Sequence, residues 1–338
     1  MQQTPKPEWH WPHFDKPLCG DVSDRDRLGL PEHYVVGRFD ESLPLAYERI
    51  RHKNREGLLN VVNDRQSDLV ERIAAGNLLA LIGDPRLSTD NPSMIDIAAG
   101  KVEVGLPFEE IEKVLMQFRG LGLEAKWIEK ECPRYTVQLA PYRIALYPVT
   151  NQEYRTFLLD TGYSELPSSW AFRRYPDERA NHPVYTVSVK AAMDYAEWLA
   201  KRTGRGFRLP SEAEWEFAAA GRDGVEFPWG NEFNADLCNT AETGLFNTTS
   251  VGVFAGGESP YGVSDMAGNV EEYIADQYTP YPDGNLVSDH LTEIHGDYHV
   301  ARGGSFARFR DLARTRRRHG HNPRSVTYAM GFRLAETI

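Results

Sequence analysis

Cysteine is scarce in this sequence: the 338 residues include only Cys19, Cys132 and Cys238. These three are scattered, odd in number and without CxxC spacing, so neither a disulfide framework nor a zinc knuckle is expected. No apolar run is long enough to cross a bilayer, and the N-terminus lacks a basic region followed by an apolar core. We therefore expect a cytoplasmic protein without a membrane span.

A net positive charge is also missing, since the formal net charge is -11. An acidic protein is not expected to bind nucleic acid over its whole surface. Positive charge is nevertheless concentrated in one place, because residues 303–329 contain seven arginines and a single acid, Asp311. The same stretch contains no Lys, Glu, Gln, Met or Trp. This arginine-rich segment is the candidate working surface.

The first 93 residues predict a unit of their own, within a chain that is 41% hydrophobic and long enough for one large and one small domain. Residues 1–40 are rich in Pro, Asp and aromatic residues, which favours an extended arm over a metal site at His10 and His13, because no third ligand is near. Helical patterns then predict a hairpin over residues 42–84, and a proline-bearing link places a domain boundary near residue 93.

From Met94 onward the pattern changes to short strands and turns. Strands are predicted at residues 94–97 and 101–104, joined around Ala98-Ala99-Gly100, and again at 135–139 and 142–149. A helix over about 107–120 is an insertion among them. Capping boxes at Thr150–Glu153 and Ser211–Glu214 start two further helices.

The loop from Asp265 to Tyr273 clusters carboxylates with backbone carbonyls, which a hard cation such as calcium prefers. Its spacing fits an Asx turn with two solvated glutamates equally well. Both interpretations stay open on spacing alone.

Six motifs, in this order, resemble the formylglycine-generating enzyme (sulfatase-modifying factor) family. They are Tyr147-Pro148-Val149-Thr150-Asn151, Arg208-Leu209-Pro210-Ser211-Glu212, Pro228-Trp229-Gly230-Asn231, Ser259-Pro260-Tyr261-Gly262, Arg302-Gly303-Gly304-Ser305 and Gly331-Phe332-Arg333. The resemblance covers about residues 94–338. It implies an α+β protein with a C-type-lectin-like fold, to which residues 1–93 add a helical extension.

The family's oxygen-dependent chemistry needs two cysteines, placed three and eight residues after the serine of the Gly-Gly-Ser motif. Those positions hold Arg308 and Ala313 here, and no cysteine follows Cys238. Neither a guanidinium nor a methyl group forms a thiolate or binds copper. The sequence therefore argues against formylglycine synthesis and leans against an enzyme, and no redox cofactor is predicted.

The resemblance implies calcium sites as well. At the first, Asp265 and Glu272 would supply side-chain oxygens, and Gly268 and Val270 would supply carbonyls. Asn239, Thr240 and Asn247 match a second site less well. A nonheme-iron branch of the superfamily fits poorly, because the helical region offers only His33 and His52.

A third branch contains the variable proteins of diversity-generating retroelements, which keep the scaffold without catalysis. In that family, adenine randomisation cannot produce Lys, Glu, Gln, Met or Trp at variable positions. The inventory of the arginine-rich segment fits this mechanism, although a surface selected for arginine would show the same absence.

We therefore predict a noncatalytic protein that binds a protein or other macromolecular ligand through its C-terminal surface. Arg314, Arg317 and Arg333 are expected to point inward as scaffold. The predicted ligand face consists of Ala307, Arg308, Phe309, Arg310, Asp311, Arg316, Arg318, His319, His321, Ser325, Val326, Thr327 and Tyr328.

Three alternatives remain. An immunity-type protein that neutralises a toxin suits an acidic chain without a catalytic pair. An oxygen-dependent nonheme metal oxidoreductase of the same superfamily predicts three converging His or carboxylate ligands. Nucleic-acid binding through the arginines predicts a steep loss of affinity with salt.

Overall fold

Helices and short strands alternate along the chain in the computed structural model, which describes residues 23–31, 33, 34, 36–321 and 328–338. Most of the predicted N-terminal arm, with His10 and His13, lies outside the described residues, as do Ser325, Val326 and Thr327 of the predicted ligand face. The helices are α1 (Asp24–Arg27), α2 (Ser42–Ile50), α3 (Arg55–Asn63), α4 (Leu69–Ile82), α5 (Ile111–Gln117), α6 (Ala125–Glu129), α7 (Asn151–Thr161), α8 (Val189–Thr203), α9 (Glu212–Ala220) and α10 (His290–His295).

Within the described residues, the strands form three small sheets. They are β1 (Met94–Ile97), β2 (Gly100–Val104), β3 (Tyr135–Leu139), β4 (Tyr142–Ala145), β5 (Gly206–Arg208), β6 (Glu271–Gln277), β7 (His299–Arg302), β8 (His319–Gly320), β9 (Met330–Phe332) and β10 (Ala335–Thr337). One sheet has the order β1-β4-β10-β5, the second pairs β2 with β3, and the third has the order β8-β7-β6-β9, in which β6 and β9 are parallel. This mixture confirms the predicted α+β class.

Residues 94–97 and 101–104, predicted as strands joined around Ala98-Ala99-Gly100, are both strands, but they do not pair with each other. β1 pairs with β4, with Met94 opposite Ala145, whereas β2 pairs with β3, with Val102 opposite Val137. The Ala98-Ala99 connection therefore carries the chain from one sheet to another instead of closing a hairpin. Tertiary partners decide strand pairing here, because local alternation alone does not specify which strand lies alongside.

Three helices, rather than the two of the predicted hairpin, fill residues 42–82. The middle helix α3 begins where Asn54 Oδ1 accepts a hydrogen bond of 2.9 Å from Gly57 N, a cap that the sequence prediction missed. These helices bury an apolar face against Val253 and Phe254 of the main body. Contact is close, since a Cβ at Gly76 would lie 2.7 Å from Ser250 Cβ.

Both predicted capping boxes are confirmed. Thr150 N donates to Glu153 Oε2 at 2.8 Å, and Ser211 N donates to Glu214 Oε2 at 2.8 Å. The predicted insertion over 107–120 contains a 3₁₀ turn, Phe108–Glu110, followed by α5, and the short helix α6 comes after it. The boundary near residue 93 stays a prediction.

Candidate functional site

The arginine-rich segment begins at a sharp turn after β7. Gly303 and Gly304 have φ values of 91° and 66°, which glycine adopts without the strain that a Cβ would add. A Cβ at Gly304 would lie 2.8 Å from the carbonyl carbon of Leu312. The turn therefore folds the segment back on itself, and residues 307–312 reach the wall of a cavity.

This cavity, which we call the C-terminal cavity, has a volume of about 130 Å³. It brings together six residues of the predicted ligand face: Ala307, Arg308, Phe309, Asp311, Arg318 and His319. Its other lining residues are Arg27, Leu121, Gly122, Trp127, Lys130, Asp289, His290, Leu291, Leu312 and Arg317.

Four other described members of the predicted ligand face do not line the cavity. Arg310 lies beside Glu242, with Nη1 3.4 Å from Oε1. His321 and Tyr328 stack with ring centroids 3.9 Å apart. Arg316 is buried, and its Nη1 lies 3.3 Å from Glu226 Oε2. The ligand-binding role of the predicted face stays a prediction.

Arg316 and Arg318 were predicted to face a ligand, but both are buried in ion pairs. Arg318 Nε and Nη2 donate to the two oxygens of Glu212 at 2.7 and 2.8 Å, so only part of its guanidinium borders the cavity. Burying a cation is unfavourable unless a carboxylate compensates it, and the acids of α9 and the 226 loop do so here. These two arginines are better described as scaffold.

The prediction that Arg314, Arg317 and Arg333 point inward is confirmed. Arg314 is fully buried between Glu131 and Glu226. Arg317 Nη1 donates to the carbonyls of Trp127 and Arg318, at 3.2 and 2.8 Å. Arg333 donates to both carboxylate oxygens of Glu272, at 2.6 and 2.7 Å.

Several cavity residues were missed by the sequence prediction. Trp127 and Lys130 come from α6 and its C-terminal end, and Asp289 and His290 come from the start of α10. Lys130 Nζ donates to Asp289 Oδ2 and to the hydroxyl of Tyr298. Only the fold brings these segments next to the arginine-rich segment, and no local motif marked them.

Glu271 does not line the cavity, but its carboxylate contacts two side chains that do. Its Oε1 accepts from Arg308 Nε at 3.1 Å, and its Oε2 lies 2.5 Å from His319 Nδ1. Burial by itself raises the pKa of Glu271, but the charges of His319 and Arg308 and their hydrogen bonds outweigh it and lower that pKa to about 2. Glu271 therefore stays ionised and holds both side chains in place.

The pKa values of three other ionisable groups in the cavity shift in the direction that burial favours. Burial raises the pKa of Asp311 to about 6, against the opposing charge of Arg317. Burial lowers the pKa of Lys130 to about 8, although Asp289 opposes this, and lowers the pKa of His290 to about 4. The cavity is thus a poorly hydrated site in which charges interact strongly.

The chemistry of a thiol pair is missing from this site. Arg308 lies at the cavity wall, and Ala313 is fully buried in an apolar cluster. Cys132 and Cys238 belong to the same apolar cluster; burial raises the pKa of the Cys132 thiol to about 12 and raises the pKa of Cys238 as well. Neither described cysteine is therefore a thiolate at neutral pH.

The two predicted calcium sites differ in how well their residues fit a cation. Both carboxylate oxygens of Glu272 accept from Arg333, and one also accepts from Trp215 Nε1, so this carboxylate already compensates a guanidinium. Asp265 Oδ2 accepts from Gly252 N at 2.7 Å. One carboxylate oxygen of Asp265 and both of Glu272 thus already accept hydrogen bonds, and calcium binding at this loop, with the carbonyls of Gly268 and Val270, stays a prediction.

At the second loop, Asn239 Oδ1 is a buried oxygen without a hydrogen-bond partner, as a cation ligand would be. Thr240 is fully buried beside it. Asn247 fits less well, because its Oδ1 accepts from Thr248 N and lies 3.4 Å from Arg179 Nη1. In the part of the chain that the structure describes, no three His, Cys, Asp or Glu side chains are grouped so that they could hold a metal ion.

Comparison with known families gives one match that spans most of the chain. The sequence profile of the sulfatase-modifying factor enzyme 1-like domain matches residues 82–338. No helix in the described ranges is long and apolar enough to cross a membrane.

Among curated relatives, the chain is 32% identical to the serine/threonine-protein kinase Pkn1 of Chlamydia trachomatis, over 62% of this chain and 35% of that protein. It is 31% identical to the formylglycine-generating enzyme of Thermomonospora curvata, over 61% of this chain and 85% of the enzyme. It is 29% identical to the hercynine oxygenase of Mycobacterium tuberculosis, over 62% of this chain and 56% of the oxygenase. The match spans only about a third of the chlamydial kinase.

Solved structures that share the fold include one from Pseudomonas aeruginosa and one from Treponema denticola. PvdO from Pseudomonas aeruginosa superposes with a TM-score of 0.56 and 26% identity, covering 74% of this chain and 96% of PvdO. Variable protein 1 of Treponema denticola gives a TM-score of 0.54 and 21% identity, covering 72% of this chain and 94% of that protein. At this level of identity the second likeness concerns the fold alone.

Proposed function

Since the chain belongs to the sulfatase-modifying factor enzyme 1-like family and holds Arg308 and Ala313 where the resemblance requires two cysteines, we propose that it is a noncatalytic ligand-binding protein. The C-terminal cavity is its proposed binding site, and a protein or other macromolecule is its proposed ligand. The observation that carries the proposal is the cavity wall itself, where an ion-paired guanidinium lies at one of the two cysteine positions.

The composition of the cavity supports binding. Arg308 offers several donors in a fixed plane, and neighbouring Phe309 adds a rigid apolar surface. Trp127, from α6, supplies a second aromatic surface. Since Glu271 holds the Arg308 and His319 side chains, these two lose little conformational entropy when a ligand binds.

The oxygen-dependent oxidoreductase alternative has the hercynine oxygenases among the relatives of the chain. Such an enzyme needs converging metal ligands, and the described residues contain no group of three His, Cys, Asp or Glu side chains that could serve. We therefore rank it below ligand binding.

The hypothesis of a diversified surface now applies to fewer positions. Arg314, Arg316, Arg317 and Arg318 are buried among acids and carbonyls, and a position that must hold a buried ion pair tolerates little variation. We propose that any diversification is confined to Ala307, Phe309 and Arg310 and to the part of the segment after Arg318, because Arg308 pairs with the buried Glu271 and Asp311 is itself buried. A near-copy of this coding segment beside a reverse transcriptase gene would support the proposal, and its absence from the neighbouring DNA would refute it.

The experiment that tests ligand binding compares two double variants. Immobilised protein carrying Arg308→Ala and Phe309→Ala is incubated with extract of the source cells beside the native protein. The control carries Leu159→Ala and Lys201→Ala, which remove an exposed apolar and an exposed cationic side chain from α7 and α8. We expect macromolecules that bind the native protein and the control but not the cavity variant. Identical capture by all three proteins would overturn the proposed site.

A second measurement addresses the noncatalytic part of the proposal. The protein is incubated with copper(I), oxygen and a cysteine-containing peptide, and the peptide mass is followed. We expect no conversion of cysteine to an aldehyde, because no thiol pair lines the cavity. Aldehyde formation, or oxygen consumption above that of a boiled sample, would contradict the proposal.

A further inference from the structure

Arg308 and His319, two side chains that line the C-terminal cavity, are held side by side by one carboxylate. Arg308 Nε donates to Glu271 Oε1 at 3.1 Å, and His319 Nδ1 lies 2.5 Å from Glu271 Oε2. These contacts use one nitrogen of each side chain. Because Glu271 is itself buried, it fixes both side chains from the protein interior and leaves their other nitrogens for a ligand.

Three nitrogen atoms of this pair are available to a ligand. Counting partners among the described residues, Arg308 Nη1, Arg308 Nη2 and His319 Nε2 make no hydrogen bond. None of the three is enclosed, in contrast to Trp127 Nε1 and Arg317 Nε, which are buried. The Arg308 and His319 side chains keep 13% and 15% of their surface exposed. A group that enters the cavity can therefore reach these donors.

The balance of charge around the cavity is positive. Its lining includes two acids, Asp289 and Asp311. Two more acids, Glu212 and Glu271, pair with lining arginines without lining the cavity themselves. The cations still outnumber these four acids, since five cationic residues line the cavity: Arg27, Lys130, Arg308, Arg317 and Arg318. This balance favours an anionic ligand.

A phosphoryl group matches the available donors better than a carboxylate does. The Arg308 fork can donate from Nη1 and Nη2 to two oxygens, and a protonated His319 can donate from Nε2 to a third. A phosphate monoester presents three terminal oxygens and a charge of about -1.5 to -2 at pH 7. A carboxylate has only two oxygens, so one of the three donors would stay without an acceptor.

The size of the cavity limits what can carry the phosphoryl group. Its volume of about 130 Å³ is close to that of a protein cavity of roughly 150 Å³ that binds benzene. A phosphoryl group on a short stem fits such a space, whereas a nucleoside does not. Phe309 and Trp127 add aromatic surface to the lining, against which the residues flanking a phosphorylated side chain can pack. A phosphorylated serine or threonine is the carrier that these dimensions favour.

We infer that the C-terminal cavity binds a phosphorylated serine or threonine side chain of a protein, whose phosphoryl oxygens accept hydrogen bonds from Arg308 Nη1, Arg308 Nη2 and His319 Nε2. This inference rests on the proposed function and narrows its macromolecular ligand to a phosphoprotein. Glu271 is a positioning residue in this site, because it holds both side chains without lining the cavity.

Isothermal titration calorimetry on the full chain tests the inference with small probes. N-acetylphosphoserine amide presents the phosphoryl group, N-acetylserine amide is its neutral analogue, and the α-amide of N-acetylglutamate presents a carboxylate. We expect saturable binding of the phosphoserine probe, with Kd on the order of millimolar for so few atoms. The neutral analogue should not bind, and the carboxylate should bind roughly tenfold more weakly, as for one lost hydrogen bond to a charged group.

Three results of this titration would overturn the inference. The first is no saturable binding of the phosphoserine probe. The second is equal affinity for the carboxylate probe, which would show that the third donor is not used. The third is tighter binding of inorganic phosphate than of the phosphoserine probe, which would point to a free ion and not to a protein side chain.

The variant Arg308→Gln removes the fork and its charge. We expect the phosphoserine probe to lose detectable binding to this variant. Arg49→Gln is the matched control, because Arg49 Nε also donates to a glutamate, Glu71, at 2.7 Å, and Arg49 does not line the cavity. Thermal unfolding of both variants is measured in parallel. Native affinity in a folded Arg308→Gln variant would refute the assignment.

The variant His319→Asn tests the third donor, since its carboxamide is too short to place a nitrogen where Nε2 lies. We expect the affinity for the phosphoserine probe to fall roughly tenfold. His299→Asn is the matched control, because His299 Nδ1 lies 3.3 Å from the carbonyl oxygen of Ile274 and His299 does not line the cavity. Unchanged affinity in His319→Asn would contradict the inference. Should Arg308→Gln fail to fold, this variant decides the question.

The two proposals fail in different ways. Treating the cell extract with a phosphatase before the capture experiment should remove the macromolecules that bind the native protein. Capture that survives this treatment and still depends on Arg308 and Phe309 would leave the proposed function standing and remove this inference. Capture that does not depend on these two residues, together with no binding of the phosphoserine probe, would remove the site altogether.

Discussion

The two halves of the arginine-rich segment are alike in composition and differ in how deeply their arginines are buried. In the outer half, residues 307–311, Arg308 lines the C-terminal cavity and Arg310 does not, and their side chains keep 13% and 33% of their surface exposed. In the inward half, residues 314–318, all four arginines are buried, although Arg317 and Arg318 also line the cavity, and the Arg314 side chain lies between two acids. A high density of arginine therefore does not by itself separate the proposed binding surface from the scaffold, whereas the partners of each guanidinium do.

The largest expected effect on the free energy of unfolding is for Arg314, in the inward half of the segment. Arg314→Ala leaves Glu131, itself fully buried, without its main counter-charge. We expect the free energy of unfolding to fall by about 3–5 kcal/mol, as for other broken buried ion pairs. Arg310→Ala, in the outer half, should cost less than about 1 kcal/mol. Urea unfolding of both variants measures the difference. Similar losses in the free energy of unfolding would show that the two halves do not differ in their structural role.

The second prediction concerns pH. The pKa of Asp311 is about 6 in the folded protein, against about 3.9 in an unfolded chain. The folded state thus binds more protons between these values, so this group's contribution to stability falls as pH rises from 4 to 6, by about 3 kcal/mol in total. Asp311→Asn removes that fall, and its stability relative to the native protein should rise over this window.

Glu271 should show the opposite dependence, because its folded pKa of about 2 lies below its unfolded value. Its contribution is present above the unfolded pKa and is lost as pH falls toward 2. Chemical unfolding at a series of pH values distinguishes the two carboxylates. A parallel pH dependence for Asp311→Asn and Glu271→Gln would contradict the assigned environments.

The third prediction concerns Arg308, in the outer half of the segment. Arg308→Ala removes one partner of Glu271 but leaves His319 in place. We expect a loss of about 1–2 kcal/mol in the free energy of unfolding, together with the loss of ligand capture described above. A loss as large as that of Arg314→Ala would show that Arg308 also belongs to the scaffold.

The smallest effect is expected for calcium binding. Two loops differ in whether their candidate calcium ligands already have hydrogen-bond or ion-pair partners. We propose that the Asn239 turn, with its unpartnered Oδ1, and not the loop in which Glu272 pairs with Arg333, holds a structural calcium ion. At a free concentration ten times Kd, calcium should stabilise the protein by about 1.4 kcal/mol. The shift in melting temperature between calcium and a chelator should vanish in Asn239→Ala, and an unchanged shift would exclude that turn.

Sequence patterns predicted the elements that rest on local rules. The capping boxes at Thr150 and Ser211 were found because the two partners of each box lie three residues apart. The family and its fold class followed from ordered motifs in the same way. Residues 94–97 and 101–104 do not form a hairpin, because tertiary packing decides strand partners. β1 pairs with β4, and β2 pairs with β3.

The site was predicted only in part, for a related reason. The segment that lines one wall of the cavity was identified from its charge and its motif. Trp127 and Lys130 were missed because they reach the cavity from a segment more than a hundred residues away in sequence, and Asp289 was missed because no local motif places the start of α10 there.

The sequence by itself determined the family, the missing thiol pair and the concentration of positive charge near the C-terminus. Only the tertiary structure decided how deeply each arginine is buried and which carboxylate or carbonyl it pairs with. The physical reason is that a guanidinium is neutralised by whichever carboxylate the fold brings within about 3 Å. For Arg314 that carboxylate belongs to Glu131, from a distant part of the chain.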